Sequence, residues 1–472
     1  LTPIFGSCEV RVHTEELTLS FFANCLGAPI ASDAPITRVV VDSREVSAGS
    51  LFVALPGERV DGHDFVAQAA ERGAVAAIVQ RPVPAPLSLV QIVVPSSLDA
   101  LRKSAGAWRQ QLSPRIVVVA GSVGKTTTKA LLAALLTGHF GEDGVLCTEG
   151  SQNGYLGIPL TLLRLRPHHR VAVVEVGIDQ PGAMFEHLAL LAPHAALVTA
   201  VAPEHLDGLG SMESVVREES LALAFVAARG GLAHVNLNDP HLEPWARTLG
   251  AQARAFSLGG GGRASTHATL AGEPHAPSLA FQRPASFVLP VPLPGVHNAQ
   301  NLVGAASVAM ELGCTPEELT LGLSRFRPEP GRSRWQQRPN GAKVLCDFYN
   351  ASPASVRAAL AVIADTGAPR RVVFLGDMLE LSTSEEALHR DLASALIEAG
   401  ITHAALVGPR MAWLADELRV RSAPVEVLSA AELHADILAR ALPWVGPHTA
   451  ALIKGSRSMK MERVWEALSN EQ

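Results

Sequence analysis

The chain has 472 residues, 48% of them hydrophobic, and a net charge of −6, so it can bury several cores and offers no basic tract to nucleic acid. Five scattered cysteines (Cys8, Cys25, Cys147, Cys314 and Cys346) have no CxxC spacing, which argues against a disulfide framework or a thiolate zinc site and fits a reducing cytosol. No run of about eighteen apolar residues spells a membrane span, and the apolar patch near Leu19–Leu26 follows glutamates rather than a basic leader.

Length alone suggests roughly three domains. Residues 1–112 read as a small α/β domain. Glu16–Gly27 is expected as a helix stopped by its glycine, Val39–Val41, Leu51–Ala54 and Val75–Val79 as strands, and Phe65–Arg72 as a second helix. The polar loops between them, Asp42-Ser43-Arg44 and Val60 to Phe65, suit helix capping by His63 or Asp64 as well as ligand contact.

Residues 113–326 alternate strand and helix, the pattern of a mostly parallel sheet covered on both faces. Ile116–Val119 is a β-branched run expected to form a buried strand. The turn Gly121-Ser122-Val123-Gly124-Lys125-Thr126-Thr127 follows, and then apolar residues at helical spacing. Glycines let backbone N–H groups approach phosphate oxygens, and the helix N-terminus adds partial positive charge. Lys125 is expected on the terminal phosphates and the Thr126 hydroxyl on Mg2+. The spacing is shorter than a strict Walker A motif, with Val119 where the first glycine would stand. Val171–Val174 is another buried strand, ending in Glu175, a carboxylate placed where Mg2+ ligands belong. Leu197–Val201 is followed by Pro203-Glu204-His205-Leu206-Asp207, Leu258–Ala276 reads as an exposed Gly/Ser/His-rich excursion, and Val296–Leu312 opens a helix with His297-Asn298.

From residue 327 to 472 a second doubly wound, Rossmann-like sheet is expected, with strands at Val344–Leu345, Arg371–Leu375, Ala404–Val407 and Ala450–Leu452. Its polar strand ends are Asp347, Asp377 and Lys454-Gly455-Ser456-Arg457. Arginine replaces lysine almost throughout, and Lys125 and Lys454 are two of only six lysines, both in glycine-containing turns. A lysine that persists in such a composition is a candidate for a compact ammonium.

With these residues in view, the chain resembles the Mur ligases, ATP-dependent enzymes of peptidoglycan precursor synthesis. GSVGKTT, the EVG strand end and APEHLDGLGS are similar to the family's central P-loop ATPase domain. DSREVSAGSLFVALPGERVDGHDF resembles the uridine-nucleotide-binding domain of its two late-acting members. GRSRW, CDFYNASPASVRAAL, FLGDMLELS and IKGSRSMKMERV resemble the member that adds D-alanyl-D-alanine, and the DNPR-like signature of the diaminopimelate- or lysine-adding member is absent.

The resemblance implies three domains: 1–112 for the UDP-substrate, 113–326 for ATP and 327–472 for dipeptide and ATP contacts. It implies ATP, Mg2+, UDP-MurNAc-tripeptide and D-Ala-D-Ala as cofactors and substrates, an acyl phosphate intermediate, and a cytoplasmic monomer. Carried over by position, Gly121, Ser122, Val123, Gly124, Lys125, Thr126 and Thr127 hold phosphates. Thr126 and Glu175 bind Mg2+, with His205 near a second metal. Asn298 meets the adenine, and Arg332 and Asp347 reach ATP from the third domain. Ser43, Arg44 and Asn153 face the UDP-substrate, while Tyr349, Asn350, Lys454, Ser456 and Arg457 line the dipeptide or γ-phosphate side.

One departure has physical weight. Most Mur ligases carry a carbamylated lysine after the HL(D/E)G motif; here Glu219 aligns with it, and no lysine occurs between Lys129 and Lys343. Glu219 is expected to supply the missing carboxylate to the second metal, although its reach is shorter by roughly 3–4 Å. The alternative is a weakened second site, with Lys125 carrying more of the charge. Thr199-Ala200-Val201 also stands where the family has an asparagine. Two other functions remain open at this level: an amide ligase with a different amine substrate, and a ligase-like binding protein without catalysis.

Overall fold

The computed structural model describes residues 16–470 except 58–59, 87, 261 and 274–275. Cys8 and the first residues therefore lie outside the described part. The chain divides into two compact units, one holding residues up to Val118 with Phe140–Val176 and Phe185–His194, the other Val119–His139, Gly177–Met184 and Ala195–Gln472.

In the first unit β1 (Arg38–Val40), β2 (Ser50–Val53), β3 (Ala74–Val79) and β4 (Val90–Val93) form a four-stranded sheet in sequence order, every pairing parallel. The helix expected from Glu16 spans Leu19–Leu26, because the Thr18 hydroxyl accepts the Phe21 amide and so sets the start. Gly27, at φ 71°, ends it as anticipated. A helix at Ser97–Gln111 was not anticipated. Ser96 caps it by accepting from the Asp99 amide, and its apolar face buries Leu101, Ala105 and Trp108. The Trp108 indole N–H donates to the Leu165 carbonyl at 3.0 Å, so the largest buried side chain leaves no polar atom unsatisfied.

Strands β5 (Arg115–Ala120), β6 (Val145–Cys147), β7 (Val171–Glu175), β8 (Ala195–Val198), β9 (Leu232–Asn236), β10 (Ala253–Leu258), β11 (Thr266–Glu273), β12 (Ala276–Arg283) and β13 (Phe287–Pro290) follow in chain order. In the first unit β6 pairs in parallel with β7. In the second, β8 to β11 pair in parallel, and β11, β12 and β13 turn antiparallel. The excursion expected over Leu258–Ala276 is therefore corrected: the described residues between Leu258 and Thr266 lie outside the strands, but Thr266–Glu273 pairs with Ala276–Arg283. Alternating side chains of β11, buried at Thr266 and Ala268, favour a half-covered strand over a loop.

The helix behind the phosphate loop, Lys125–Phe140, lies against Pro316–Ser324, whose start is fixed by a Thr315–Glu318 capping box. The approach is set by two glycines. A Cβ on Gly138 would stand 1.9 Å from the Glu318 carbonyl oxygen, and one on Gly322 would stand 2.3 Å from that of Ala134. Backbone cannot yield as a side chain tip can. Gly138→Ala is expected to lower stability by about 2–3 kcal/mol, more than the helix-propensity gain of about 1 kcal/mol can offset. Thermal melting checks this; an unchanged midpoint would contradict the packing described.

The last sheet runs β14-β15-β19-β16-β17-β18, built from β14 (Arg334–Gln337), β15 (Lys343–Cys346), β16 (Arg370–Gly376), β17 (His403–Val407), β18 (Glu426–Ala430) and β19 (Thr449–Lys454). All pairs are parallel except β14 with β15. Apolar clusters cover both faces, which makes it the doubly wound sheet expected. The last strand in sequence, β19, inserts between β15 and β16. That crossover brings Asp347, just after β15, beside Lys454 at the end of β19, at the carboxyl edge where such sheets bind ligands. Among the described residues no helix is long and apolar enough to cross a membrane.

Candidate functional site

Buried β5 delivers the chain to Gly121, at φ 116°, and Gly124, at φ 88°. A Cβ at Gly121 would meet the Thr199 hydroxyl at 2.3 Å, and one at Gly124 the Asn301 amide at 2.8 Å, so both positions require glycine for conformation and for space. The helix begins at Lys125. The Thr199 hydroxyl lies 2.6 Å from the Val123 carbonyl, and this threonine ties down the loop from the segment where the family's asparagine is absent.

The loop's first amides are already engaged. The Gly121 N–H donates to Glu219 Oε2 at 2.7 Å, and the Ser122 N–H donates to the Ala200 carbonyl at 2.7 Å. Of the run expected at phosphate, these two amides have protein acceptors here, which draws attention to the amides beyond Ser122. The Ser122 hydroxyl is buried and has no hydrogen-bond partner among the described residues, a donor suited to an anion's oxygen.

Lys125 is almost fully buried, and its ammonium donates to the carbonyls of Gly121 (2.5 Å) and Ser122 (3.2 Å) and to Glu204 Oε1 (3.0 Å). Burial pushes the Glu204 carboxyl above its ordinary range, and Lys125 opposes that rise. Glu219 is wholly buried on the helix Met212–Ala227, and burial pushes its carboxyl up to about 7. The expected second-metal ligand thus turns one oxygen to the loop's own backbone, as its short side chain permits.

Thr126 occupies the first turn of that helix, and its hydroxyl receives Arg332 Nη2 at 3.1 Å. Arg332 stacks over the Tyr349 ring, 4.0 Å from its centroid, with Arg457 at 5.6 Å. Asp347 Oδ1 accepts from the Ser333 amide at 2.9 Å, and Oδ2 lies 2.5 Å from the Lys454 ammonium, which also donates to the Asn350 carbonyl at 3.0 Å. The Ser456 hydroxyl accepts the Leu379 amide. The Asn350 side chain accepts its neighbour's amide at Ala351, and so caps the chain locally. Asn298 is buried at the start of Val296–Glu311, donating to the Pro294 carbonyl at 2.7 Å.

His205 pairs through Nδ1 with Glu380, and the Leu206 amide donates to the Glu380 carbonyl at 2.9 Å. Both residues have left-handed backbone, φ 50° and 64°. The Glu380 carboxylate raises the histidine's pKa. Sequence reasoning had quoted the segments containing Glu204 and Glu380 without assigning either residue. An acidic neighbour within PEHLD was the available signal for Glu204.

In the first unit, Glu175 is buried at the end of β7, its Oε1 accepting from the Asn153 side chain at 2.8 Å and its amide donating to the Thr148 hydroxyl. Two sequence-predicted residues of different segments thus meet. The Ser43 hydroxyl donates to Gln68 at 3.0 Å. Arg44 is exposed and salt-bridged to Asp42, whose carboxyl it holds at about 2. Among the described residues no three His, Cys, Asp or Glu side chains converge as a metal cage.

Comparison with known proteins fits this arrangement. Family models match in chain order: the Mur ligase family catalytic domain over residues 35–112, the Mur ligase middle domain over 119–309, and the Mur ligase glutamate ligase domain over 331–457. The UDP-N-acetylmuramoyl-tripeptide--D-alanyl-D-alanine ligase of Escherichia coli (strain K12) is 32% identical over 467 residues, 97% of this chain and 98% of that protein. The ligase of the same name from Haemophilus influenzae is 30% identical, with 98% and 99% covered. A crystal structure of MurF from Acinetobacter baumannii superposes with a TM-score of 0.82 at 28% identity, covering 97% of this chain and all of that one. With its phosphate loop, its two further α/β parts and these full-length relatives, the chain belongs to the Mur ligase family.

Proposed function

We infer that this chain joins D-alanyl-D-alanine to UDP-N-acetylmuramoyl-tripeptide, forming ADP and phosphate from ATP. The name and full-length span of its relatives support the substrates. One observation carries the chemistry: two cations from distant segments, Lys125 and Arg332, flank the helix start at Thr126. A peptide carboxylate and a γ-phosphate are both anions, and they meet only where fixed positive charge offsets their repulsion.

A carboxylate oxygen of the tripeptide attacks the γ-phosphorus, the bond to the β-phosphate oxygen breaks, and ADP leaves. The dipeptide's amine then attacks the acyl carbon, loses a proton, and phosphate departs as the amide forms. Lys125 is the proposed γ-phosphate contact, and phosphate competes with Glu204 for its ammonium. Ser122 and the amides beyond it orient the phosphates. Arg332, lying over the Tyr349 ring, neutralises developing charge. Asp347 fixes the Lys454 ammonium beside the dipeptide or γ-phosphate, with Asn350, Ser456 and Arg457 around it.

Hydroxyl and carboxylate oxygens are the donors Mg2+ takes, and Mg2+ needs no protein cage when phosphates complete its shell. Thr126 and Glu175 are its proposed ligands, and His205 is proposed near a second ion or the substrate. Mg2+ would supply electrostatic neutralisation of the phosphates. Asn298 is proposed for the adenine, and Ser43, Arg44 and Asn153 for the UDP-substrate. The working divisions are 1–112 for UDP-substrate, 113–326 for ATP and 327–472 for dipeptide. A monomer is proposed on the family resemblance alone; the scattered cysteines support a cytoplasmic protein.

Mass spectrometry of a reaction with ATP, Mg2+, UDP-MurNAc-tripeptide and D-Ala-D-Ala tests the substrates. The expected product gains the dipeptide less one water. A product formed only with another amine, such as glutamate, would favour the related amide ligase and overturn the assignment.

A further inference from the structure

Gly121 is held from both sides of its residue. Its carbonyl accepts Lys125 Nζ at 2.5 Å, and its N–H donates to Glu219 Oε2 at 2.7 Å. Glu219 comes from a helix 98 residues further along the chain and is wholly buried. Its other oxygen, Oε1, is also buried and finds no hydrogen-bond partner among the described residues. A carboxyl in that position is costly to desolvate, and among the described residues its hydrogen bond is to a backbone amide of the phosphate loop. Gly121 also stands in left-handed backbone with the Thr199 hydroxyl close against its Cα. A glycine adopts this backbone without strain but adopts others as readily, so its neighbours must fix which one it keeps.

We propose that Glu219 is a positioning residue of the phosphate loop, fixing the Gly121 peptide and through it the Lys125 ammonium, and is not a ligand of a second metal. The proposal rests on the ATP-dependent ligase reading above. Glu219 touches neither nucleotide nor substrate; it acts through the loop. Its acceptor oxygen is what matters, so a neutral isostere with that oxygen serves in its place, whereas a metal ligand would need the carboxylate's charge.

The test compares Glu219→Gln, which keeps an acceptor oxygen, with Glu219→Leu, which removes it at similar volume. The readouts are KM for ATP, kcat, and the Mg2+ concentration giving half-maximal rate, with thermal melts to establish folding. Glu219→Leu is expected to raise KM for ATP about tenfold, the scale of one buried hydrogen bond. Glu219→Gln is expected to recover most of that loss, with half-saturating Mg2+ within about twofold of the parent protein. A Gln variant that needs several-fold more Mg2+ overturns the proposal in favour of a metal ligand, and a folded Leu variant with KM within about twofold of the parent also overturns it. Should the Leu variant fail to fold, the Mg2+ titration of the Gln variant decides alone. An inactive parent protein would overturn the ligase reading itself, whereas an active parent with the contrary variant results overturns only the role of Glu219.

Discussion

Lys125→Met is expected to lower kcat by about a thousandfold or more while the protein stays folded. Removing one preorganised donor from a developing anion costs about 100- to 1000-fold, and Lys125 is a full charge at the turn that carries the phosphates. Its ammonium binds two loop carbonyls as well as Glu204, so its loss also slackens the turn itself. Breaking a buried ion pair costs about 3–5 kcal/mol when the remaining charge is trapped. Glu204 is less exacting, because burial already raises its pKa and the carboxyl left behind takes up a proton. Steady-state phosphate release and thermal melting separate the two effects. A folded Lys125→Met protein retaining a tenth of the parent rate would remove Lys125 from the chemistry.

Arg332→Ala should be the next most damaging change, with kcat reduced about 100-fold or more and a much smaller effect on KM for the UDP-peptide. Cations that stabilise a transferring phosphoryl group contribute about 10^3 or more to kcat in related chemistry. Arg332 reaches Thr126 across 206 residues of sequence, with its guanidinium carbon over the Tyr349 ring. Lysine at this position carries the charge but can neither stack flat nor fork its donors, so Arg332→Lys is expected to recover little. Full rescue by lysine would show that a point charge suffices and that the stack on Tyr349 is incidental. An alanine variant within threefold of the parent kcat would exclude Arg332 from the phosphoryl-transfer step.

What could be read from sequence follows how local each signal was. The phosphate loop was legible because strand, glycines, lysine and helix are contiguous, and each has a separate physical reason to be there. The alternation of strands and helices yielded the parallel sheets for the same reason. The helix Ser97–Gln111 went unread even though Ser96 and Asp99 mark its start and Leu101, Ala105 and Trp108 share a face. Residues 258–276 misled because glycines at one end coloured the whole segment, hiding the alternation of β11. Glu219 was legible as a position on a helix near the phosphate loop, whereas the direction of its carboxyl, with Oε2 on the Gly121 amide, comes only from packing. The His205–Glu380 pair joins groups 175 residues apart, and no local pattern announces such a contact.

The central claim is that the γ-phosphoryl group passes to the carboxyl of the muramyl tripeptide before the amide is made. The most direct measurement uses tripeptide substrate labelled with 18O in both oxygens of its terminal carboxylate, with ATP, Mg2+ and D-Ala-D-Ala, and follows the label in the inorganic phosphate by mass spectrometry. The account predicts one 18O atom in each phosphate released and ADP as the nucleotide product. Unlabelled phosphate, or AMP with pyrophosphate, would contradict it.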